Sequence, residues 1–162
     1  MIRLLTLFLF FFYAVSFAQF EFDFDNMTLE AFVDLGGIYS QGLSDITGFE
    51  QDGREFAVVG LQGSYVAAFV EVTNPSSPEI KGVISGSSSL WRDLKYWNRH
   101  VYIGSEASGF GVKVVSIDNP DNPTLVNTIT NIGSSHNIHV DAEGYLYVVG
   151  ASLYNIWIFS LQ

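Results

Sequence analysis

Three short motifs place an oxygen-bearing side chain directly before an aliphatic residue. They are Ser44-Asp45-Ile46, Arg92-Asp93-Leu94 and His136-Asn137-Ile138. Carboxylate and amide oxygens are the ligands that a hard cation such as Ca²⁺ prefers, so calcium is the candidate cofactor if these side chains converge. Short polar side chains also cap backbone N–H groups and brace turns. Two interpretations stay open for Asp45, Asp93 and Asn137: a cation or ligand site, and a structural brace between units.

Charged residues near these motifs add candidates for ligand binding. Arg92 and Glu106 could form an ion pair or grip an anionic ligand. His136 and His139 have the spacing of an H-x-x-H pair, but residues three apart on a strand point to opposite faces, so we do not expect them to share a zinc ion. The candidate ligand-binding residues are therefore Asp45, Arg92, Asp93, Glu106, His136 and Asn137, of which Asp45, Asp93 and Asn137 are the candidate metal ligands.

The residue types of a hydrolase triad also occur in this region. His136, Asp93 and either Ser134 or Ser135 would supply them. The chain contains no G-x-S-x-G nucleophile elbow, and serine, histidine and aspartate are common residues. We therefore assign no catalytic residue and favour a non-enzymatic protein, with an extracellular hydrolase as the alternative.

A repeat of about 45 residues carries the three motifs. Residues 72–75 (VTNP) match residues 117–120 (IDNP) at an offset of 45. The sequence VVG at residues 58–60 recurs as YIG at 102–104 and as VVG at 148–150, at offsets of 44 and 46. Several landmarks in register indicate a repeated supersecondary unit.

Each repeat contains short β-forming runs separated by turn residues. Between residues 90 and 135 the runs are RDLKYW, HVYIGS, VKVVSI and TLVNTIT, with turns such as DNPDNP between them. Four such runs predict a four-stranded antiparallel meander, and its repetition predicts an all-β fold of the β-propeller type. The predicted blades span residues 43–88 and 90–134, followed by an incomplete blade at 136–162.

The predicted strands do not complete a typical propeller. Residues 27–34 have the pattern of a fourth strand, with no first three strands ahead of them. We expect this orphan outer strand to be able to complete a three-stranded blade, because ring closure removes open sheet edges. Together the strands make about three blades, whereas propellers have ~4–8. We therefore expect the N-terminal portion of a longer propeller, with a compact three-blade or sandwich-like domain as the alternative.

The N-terminus predicts export. Residues 1–18 hold one cation, a long apolar run and a small-x-small cleavage site, which is typical of a secretory signal peptide. Residues 19–26 would then form an N-terminal arm, and we expect no membrane span in the mature chain. A net charge of −10 and only 7 basic residues argue against a nucleic-acid partner. The absence of cysteine excludes disulfides and thiolate chemistry.

Four stretches carry a family resemblance: DGREFAVVGL, the turn V-x-V-T-N-P, SSLWRDLKYW followed by VYIGSEASG, and SSHNIHVDAEGYLYVVG. Through them the chain resembles, from about residue 44 to 155, the LVIVD-repeat proteins of the choice-of-anchor B group. The resemblance implies a secreted or surface-associated bacterial repeat protein that is similar to β-propellers. It implies no established enzymatic activity. Members of the group usually run beyond this length and end in a sorting or anchoring segment.

We therefore expect an exported binding or scaffold module at or outside the cell surface, with a protein or a surface glycan as its partner. Aromatic residues could form a glycan-stacking surface, but at strand positions they mostly fill the space between sheets. We expect packing roles for the aromatic set, which comprises Trp91, Tyr96, Trp97, Tyr145, Tyr147, Tyr154 and Trp157.

Overall fold

The computed structural model describes residues 26–39, 41–151 and 155–161. The predicted signal peptide at residues 1–18 lies outside this part of the chain, as do Tyr154 and all but the last residue of the predicted arm at 19–26. The described residues form an all-β structure with a single short helix, which confirms the predicted fold class at this level.

The strands follow one another as antiparallel meanders. The helix α1 (Leu35–Tyr39) precedes a first sheet of β1 (Leu43–Gln51), β2 (Arg54–Leu61), β3 (Tyr65–Glu71) and β4 (Glu79–Ser85). The second sheet contains β5 (Arg92–Trp97), β6 (His100–Ser105), β7 (Val112–Ser116) and β8 (Thr124–Ile129). The third contains β9 (Asn137–Val140), β10 (Tyr145–Val149) and β11 (Trp157–Ser160). Antiparallel four-stranded sheets are thus confirmed twice, and β11 is the edge of a sheet with three described strands.

In each of the first two sheets, a two-residue turn connects the first strand to the second. Asp52 and Gly53 join β1 to β2 with φ of 55° and 77°, and Asn98 and Arg99 join β5 to β6 with φ of 45° and 59°. Left-handed φ at both turn positions matches the twist of the strands, and Gly, Asn and Asp adopt it most readily. The guanidinium of Arg99 contacts Asp52 Oδ1 at 3.2 Å, so the two turns lie side by side.

The sheets stack in chain order, with β1 against β5 and β5 against β9. Alternating apolar residues on each strand supply the two cores between them, because successive strand side chains point to opposite faces. The core between the first two sheets includes Phe56, Phe69, Leu94 and Ile103, all at most 2 % exposed. The core between the second and third includes Tyr102, Val114, Leu146 and Val148. Burial of each such side chain contributes about 1.5–3 kcal/mol.

The segment before α1 lies on the outer face of the first sheet. Val33 of this segment and Leu35 at the start of α1 pack there against Leu61 and Val70. Residues 27–34, predicted as an outer strand, carry no strand assignment, because no strand in the described ranges pairs with them. The segment and the first sheet enclose an open groove of about 540 Å³.

Candidate functional site

Two aspartates each reach from their own sheet to the next. Asp45 Oδ2 accepts the backbone N–H of Leu94 at 2.7 Å, and Asp93 Oδ2 accepts that of Ile138 at 2.6 Å. Asn137 Nδ2 also donates to Asp93 Oδ2, at 3.3 Å. Leu94 and Ile138 are the aliphatic residues of the second and third motifs. Each aspartate therefore fastens the first strand of the following sheet, and a charged acceptor makes such a hydrogen bond worth about 1.5–3 kcal/mol.

Two glycines let these first strands approach closely. A Cβ on Gly60 would stand 3.0 Å from Leu94 Cδ1, and a Cβ on Gly104 would stand 3.0 Å from Ile138 Cγ2. Both distances are shorter than ordinary carbon contacts of about 3.5–4.0 Å. The glycine in the second strand of one sheet thus provides the space for the aliphatic side chain of the next.

Lys95 places an ammonium group between the two aspartates. Its Nζ contacts Asp93 Oδ1, lies 3.8 Å from Asp45 Oδ2 and donates to the carbonyl of Leu94 at 3.1 Å. A cation of the chain itself therefore offsets the charge that would attract Ca²⁺. No group of three or more His, Asp or Glu residues in the described ranges is arranged to hold a metal ion. The geometry favours the brace interpretation over the calcium interpretation.

An open pocket of about 230 Å³ lies beside these braces. Its lining residues are Ser44, Asp45, Trp91, Arg92, Asp93 and Asn137. Four of the six predicted ligand-binding residues therefore meet at one place, where the first strands of the three sheets come together. Glu106 and His136 are not among the residues that line the pocket.

The aromatic residues divide between packing and exposure. Trp97 and Trp157 pack against the core between the second and third sheets, as expected. Trp91 is 56 % exposed at the rim of the pocket, so the expectation that it fills the space between sheets is wrong. Tyr145 is exposed as well. Trp91 directly precedes β5, so strand alternation does not direct its side chain into a core.

Arg92 joins the first two sheets from inside. Its Nε donates to the carbonyl of Leu61 at 3.0 Å and its Nη2 to that of Ser87 at 2.6 Å, while Nη1 donates to Ser105 Oγ. The guanidinium also lies 5.0 Å from the ring centre of Phe110. Burial lowers the pKa of Arg92 to about 10. The donors of Arg92 are thus committed to the protein, and Glu106 pairs with His136 and not with Arg92.

The remaining candidates do not converge. His136 Nδ1 lies 2.5 Å from Glu106 Oε1, an exposed pair that joins the second sheet to the third. His139 instead lies beside Tyr147, with 6.1 Å between ring centres. The two histidines therefore have separate partners.

The parts of a hydrolase triad have structural partners. Ser135 is 1 % exposed, and its Oγ accepts the backbone N–H of Ser105 at 3.1 Å. Asp93 holds Ile138 and Lys95, while His136 faces Glu106. Ser134, the other candidate, is half-buried, and His136 pairs with Glu106 and with neither serine, so the structure does not assemble a serine nucleophile with its base.

Sequence reasoning missed two features of the site. The role of Lys95 had a signal, because a residue two positions after Asp93 on a strand lies on the same face. The exposure of Trp91 had none, since the residues around it in the sequence do not show which way a side chain before a strand points.

No helix in the described ranges has the length and apolar character needed to cross a membrane. No protein-family model and no curated protein matches the chain.

Proposed function

We propose that this protein is an exported, non-enzymatic binding module of the β-propeller type whose ligand is a surface glycan. The exposed indole of Trp91, beside the oxygens of Asp45, Asp93 and Asn137 in one open pocket, is the observation that carries the proposal. An aromatic face stacks on the C–H face of a sugar ring, and carboxylate and amide groups take up its hydroxyls. The proposal includes membership of the LVIVD-repeat group.

The propeller arrangement has support in the order of the sheets. Each sheet is a meander whose first strand lies against the first strand of the next. The braces from Asp45 to Leu94 and from Asp93 to Ile138 repeat the same junction twice. Sheets that radiate from a shared line of first strands are the arrangement of propeller blades.

A binding role fits the polar groups of this pocket better than catalysis does. Arg92 and Asp93 serve the backbone of neighbouring strands, and Ser135 is buried. A catalytic acid, base or nucleophile needs a free position towards the substrate. Trp91, the half-exposed carboxylate of Asp45 and the exposed Asn137 are what the pocket offers to a ligand.

Oligosaccharide binding tests the proposal. The purified protein is applied to an array of bacterial-surface oligosaccharides, and hits are titrated by tryptophan fluorescence. We expect Trp91→Ala to weaken binding by about 5- to 150-fold, since stacking contacts at a binding site contribute on the order of 1–3 kcal/mol. Leu90→Ala is the matched control, because Leu90 is 67 % exposed next to Trp91 but does not line the pocket.

Two results would refute glycan binding in this pocket. One is an array without hits for a correctly folded protein. The other is binding that Trp91→Ala leaves unchanged. If Trp91 were required for binding a protein and no glycan bound, the partner would be a protein and the glycan proposal would be wrong.

Export is tested independently of the ligand. Expression of the full chain in a bacterial host should yield a processed protein outside the cytoplasm whose first residue is Gln19, because signal peptidase cuts after a small-x-small site. N-terminal sequencing identifies the cleavage site. An unprocessed chain that stays in the cytoplasm would contradict export.

A further inference from the structure

The recurring polar residues differ in how many of their side-chain oxygens the protein itself uses. Asp93 is saturated, because its Oδ2 accepts the N–H of Ile138 and its Oδ1 contacts Lys95 Nζ. Asp45 accepts the N–H of Leu94 through Oδ2, and no hydrogen bond within the described ranges reaches its Oδ1. The Asp45 side chain is 34 % exposed, against 9 % for Asp93. One oxygen of Asp45 is therefore left for a ligand.

Asn137 leaves a second acceptor at the same pocket. Its Nδ2 donates to Asp93, whereas its Oδ1 accepts no hydrogen bond in the part of the chain that the structure describes, and the residue is exposed. Ser44 also lines the pocket, but its Oγ is closed off from solvent. The oxygens open to a ligand thus belong to Asp45 and Asn137, on the two sheets that flank the second.

The two cationic side chains near the pocket direct their nitrogens at the protein. Every nitrogen of the Arg92 guanidinium donates to a protein oxygen. Lys95 Nζ contacts the carboxylate of Asp93 and the carbonyl of Leu94. An acidic sugar would meet no unpaired cation among the described residues that line the pocket, and the Asp45 carboxylate would repel its charge. The pocket therefore disfavours sugars that carry carboxylate, sulfate or phosphate groups.

The exposed indole of Trp91 favours a ligand with a positive charge. Its ring lies at the rim of the same pocket. The face of an indole attracts a cation through its quadrupole more strongly than the rings of tyrosine or phenylalanine do. The chain as a whole carries a net charge of −10, so its long-range field also draws cations rather than anions.

The size of the pocket limits what enters it. Its volume of about 230 Å³ lies below the ~300–1,000 Å³ of sites that enclose a drug-sized ligand. A single sugar ring is therefore the unit that the pocket takes, and the rest of a glycan would extend into solvent.

We propose that the glycan bound here presents a sugar with a free, unacetylated amino group, whose ammonium is held by Trp91 and by the open oxygens of Asp45 and Asn137. The proposal rests on the glycan-binding function proposed above and names the class of sugar. An ammonium offers several N–H donors and a positive charge, so it meets both acceptors while the sugar ring stacks on the indole. Acetylation of the amino group removes the charge and leaves one N–H.

Lys95 hinders calcium more than it hinders an ammonium. Its Nζ lies 3.8 Å from Asp45 Oδ2, beyond hydrogen-bond distance, while its direct carboxylate contact is with Asp93. Ca²⁺ takes about six to eight oxygen ligands. An ammonium is satisfied by about three acceptors. The open oxygens of Asp45 and Asn137 are thus too few for calcium, whereas they supply most of what an ammonium needs.

A pair of trisaccharides tests the class of sugar without altering the protein. The trisaccharide of glucosamine and its fully N-acetylated form are titrated by tryptophan fluorescence at about pH 6, where such amines are protonated. We expect the free-amine form to bind about 5- to 20-fold more tightly, since an exposed ion pair and a cation–π contact each contribute a few-fold. The trisaccharide of galacturonic acid, which is anionic, should bind more weakly than either. Equal affinity for the first two, or tighter binding of the acetylated form, would overturn the inference.

Asp45→Asn tests which residue recognises the amino group. Asparagine keeps an oxygen for the N–H of Leu94 and removes the charge, so the preference for the free amine should fall below about twofold. The acetylated form should bind as before, whereas Trp91→Ala should weaken the binding of both forms. Asp52→Asn, at the exposed turn at the other end of β1, is the matched control and should keep the preference. Circular dichroism checks that each variant is folded.

Failure of this inference and failure of glycan binding give different results. If neutral or N-acetylated glycans bind through Trp91 and free-amine glycans are not preferred, the class of sugar is wrong and the binding function stands. A preference that Asp45→Asn leaves unchanged would place its origin outside this pocket and overturn the inference. If no glycan binds the folded protein, the inference and the proposed function are both wrong.

Discussion

The Oδ2 atom of Asp93 accepts the backbone N–H of Ile138, 45 residues further along the chain, at 2.6 Å. Asp45 makes the same contact with Leu94 across a separation of 49 residues. A recurring aspartate that reaches the next first strand ties each sheet to its successor. The repeat therefore preserves a junction between units as well as the strands within each unit.

Removal of one brace should destabilise the fold. We expect Asp93→Ala to lower the free energy of unfolding by about 2–3 kcal/mol, because it leaves the buried N–H of Ile138 without its acceptor. Urea denaturation monitored by circular dichroism measures the change. Glu143→Ala, at an exposed turn acid, should change the stability by less than about 0.5 kcal/mol. A small effect of Asp93→Ala, similar to that of the control, would contradict the bracing role.

Replacement of the buried guanidinium by an ammonium should also be costly. Arg92 distributes donors over the carbonyls of Leu61 and Ser87 and over Ser105 Oγ. Lysine has a single head group and cannot match that geometry. We expect Arg92→Lys to lower the free energy of unfolding by about 2–4 kcal/mol, measured by urea denaturation. Arg99→Lys, at an exposed turn, is the control and should cost much less; equal losses would show that the fork geometry of Arg92 is unimportant.

Lys95 makes calcium binding conditional. The ammonium of Lys95 lies beside Asp93 and near Asp45. We therefore expect about 5 mM Ca²⁺ to leave the melting temperature of the unmodified protein unchanged. Lys95→Ala removes the internal cation, so calcium should then raise the melting temperature by several degrees, about 4 °C for each kcal/mol.

The calcium experiment has two controls. Lys113→Ala removes a lysine that lies over the ring of Phe110, away from the aspartates, and should create no calcium response. Adding Asp45→Asn and Asp93→Asn to Lys95→Ala should abolish the response. A calcium effect in the unmodified protein that Asp45→Asn and Asp93→Asn remove would instead support the cation site.

An ion network on the outer edge should make stability depend on pH. The Glu71 carboxylate accepts hydrogen bonds from Arg54, the shorter at 2.7 Å, and forms an ion pair with Lys81 Nζ at 2.9 Å. These two cations hold the pKa of Glu71 well below its usual range. Arg54 also binds Asp121 of the second sheet, which lowers the pKa of that carboxyl.

The sign of the pH effect follows from the lowered pKa values. A carboxyl whose pKa is lower in the folded state stabilises the protein above its unfolded pKa, about 4 for these residues, and this contribution is lost as the pH falls through the folded value. The urea midpoint should therefore drop from pH 6 to pH 3, and Glu71→Gln should flatten that drop. Glu55→Gln, on β2 outside the network, is the control. If the unmodified protein and Glu71→Gln had identical pH profiles, the Glu71 carboxyl would not be the source of the pH-dependent stability.

The sequence by itself determined the strands of the three sheets, their order and the position of the recurring motifs. These follow from local rules: alternation of apolar residues, turn residues such as Asp52-Gly53, and a repeat of about 45 residues. The same repeat predicts that Asp45 and Asp93 occupy equivalent positions in successive sheets.

Only the tertiary structure decided what the motifs do. The backbone N–H groups that Asp45 and Asp93 accept, the burial of Arg92 and the exposure of Trp91 depend on contacts between residues that lie far apart in the chain. The place of residues 27–34 on the first sheet depends on such contacts too. Packing between sheets sets those contacts, and no local pattern encodes which face of a sheet its neighbour will cover.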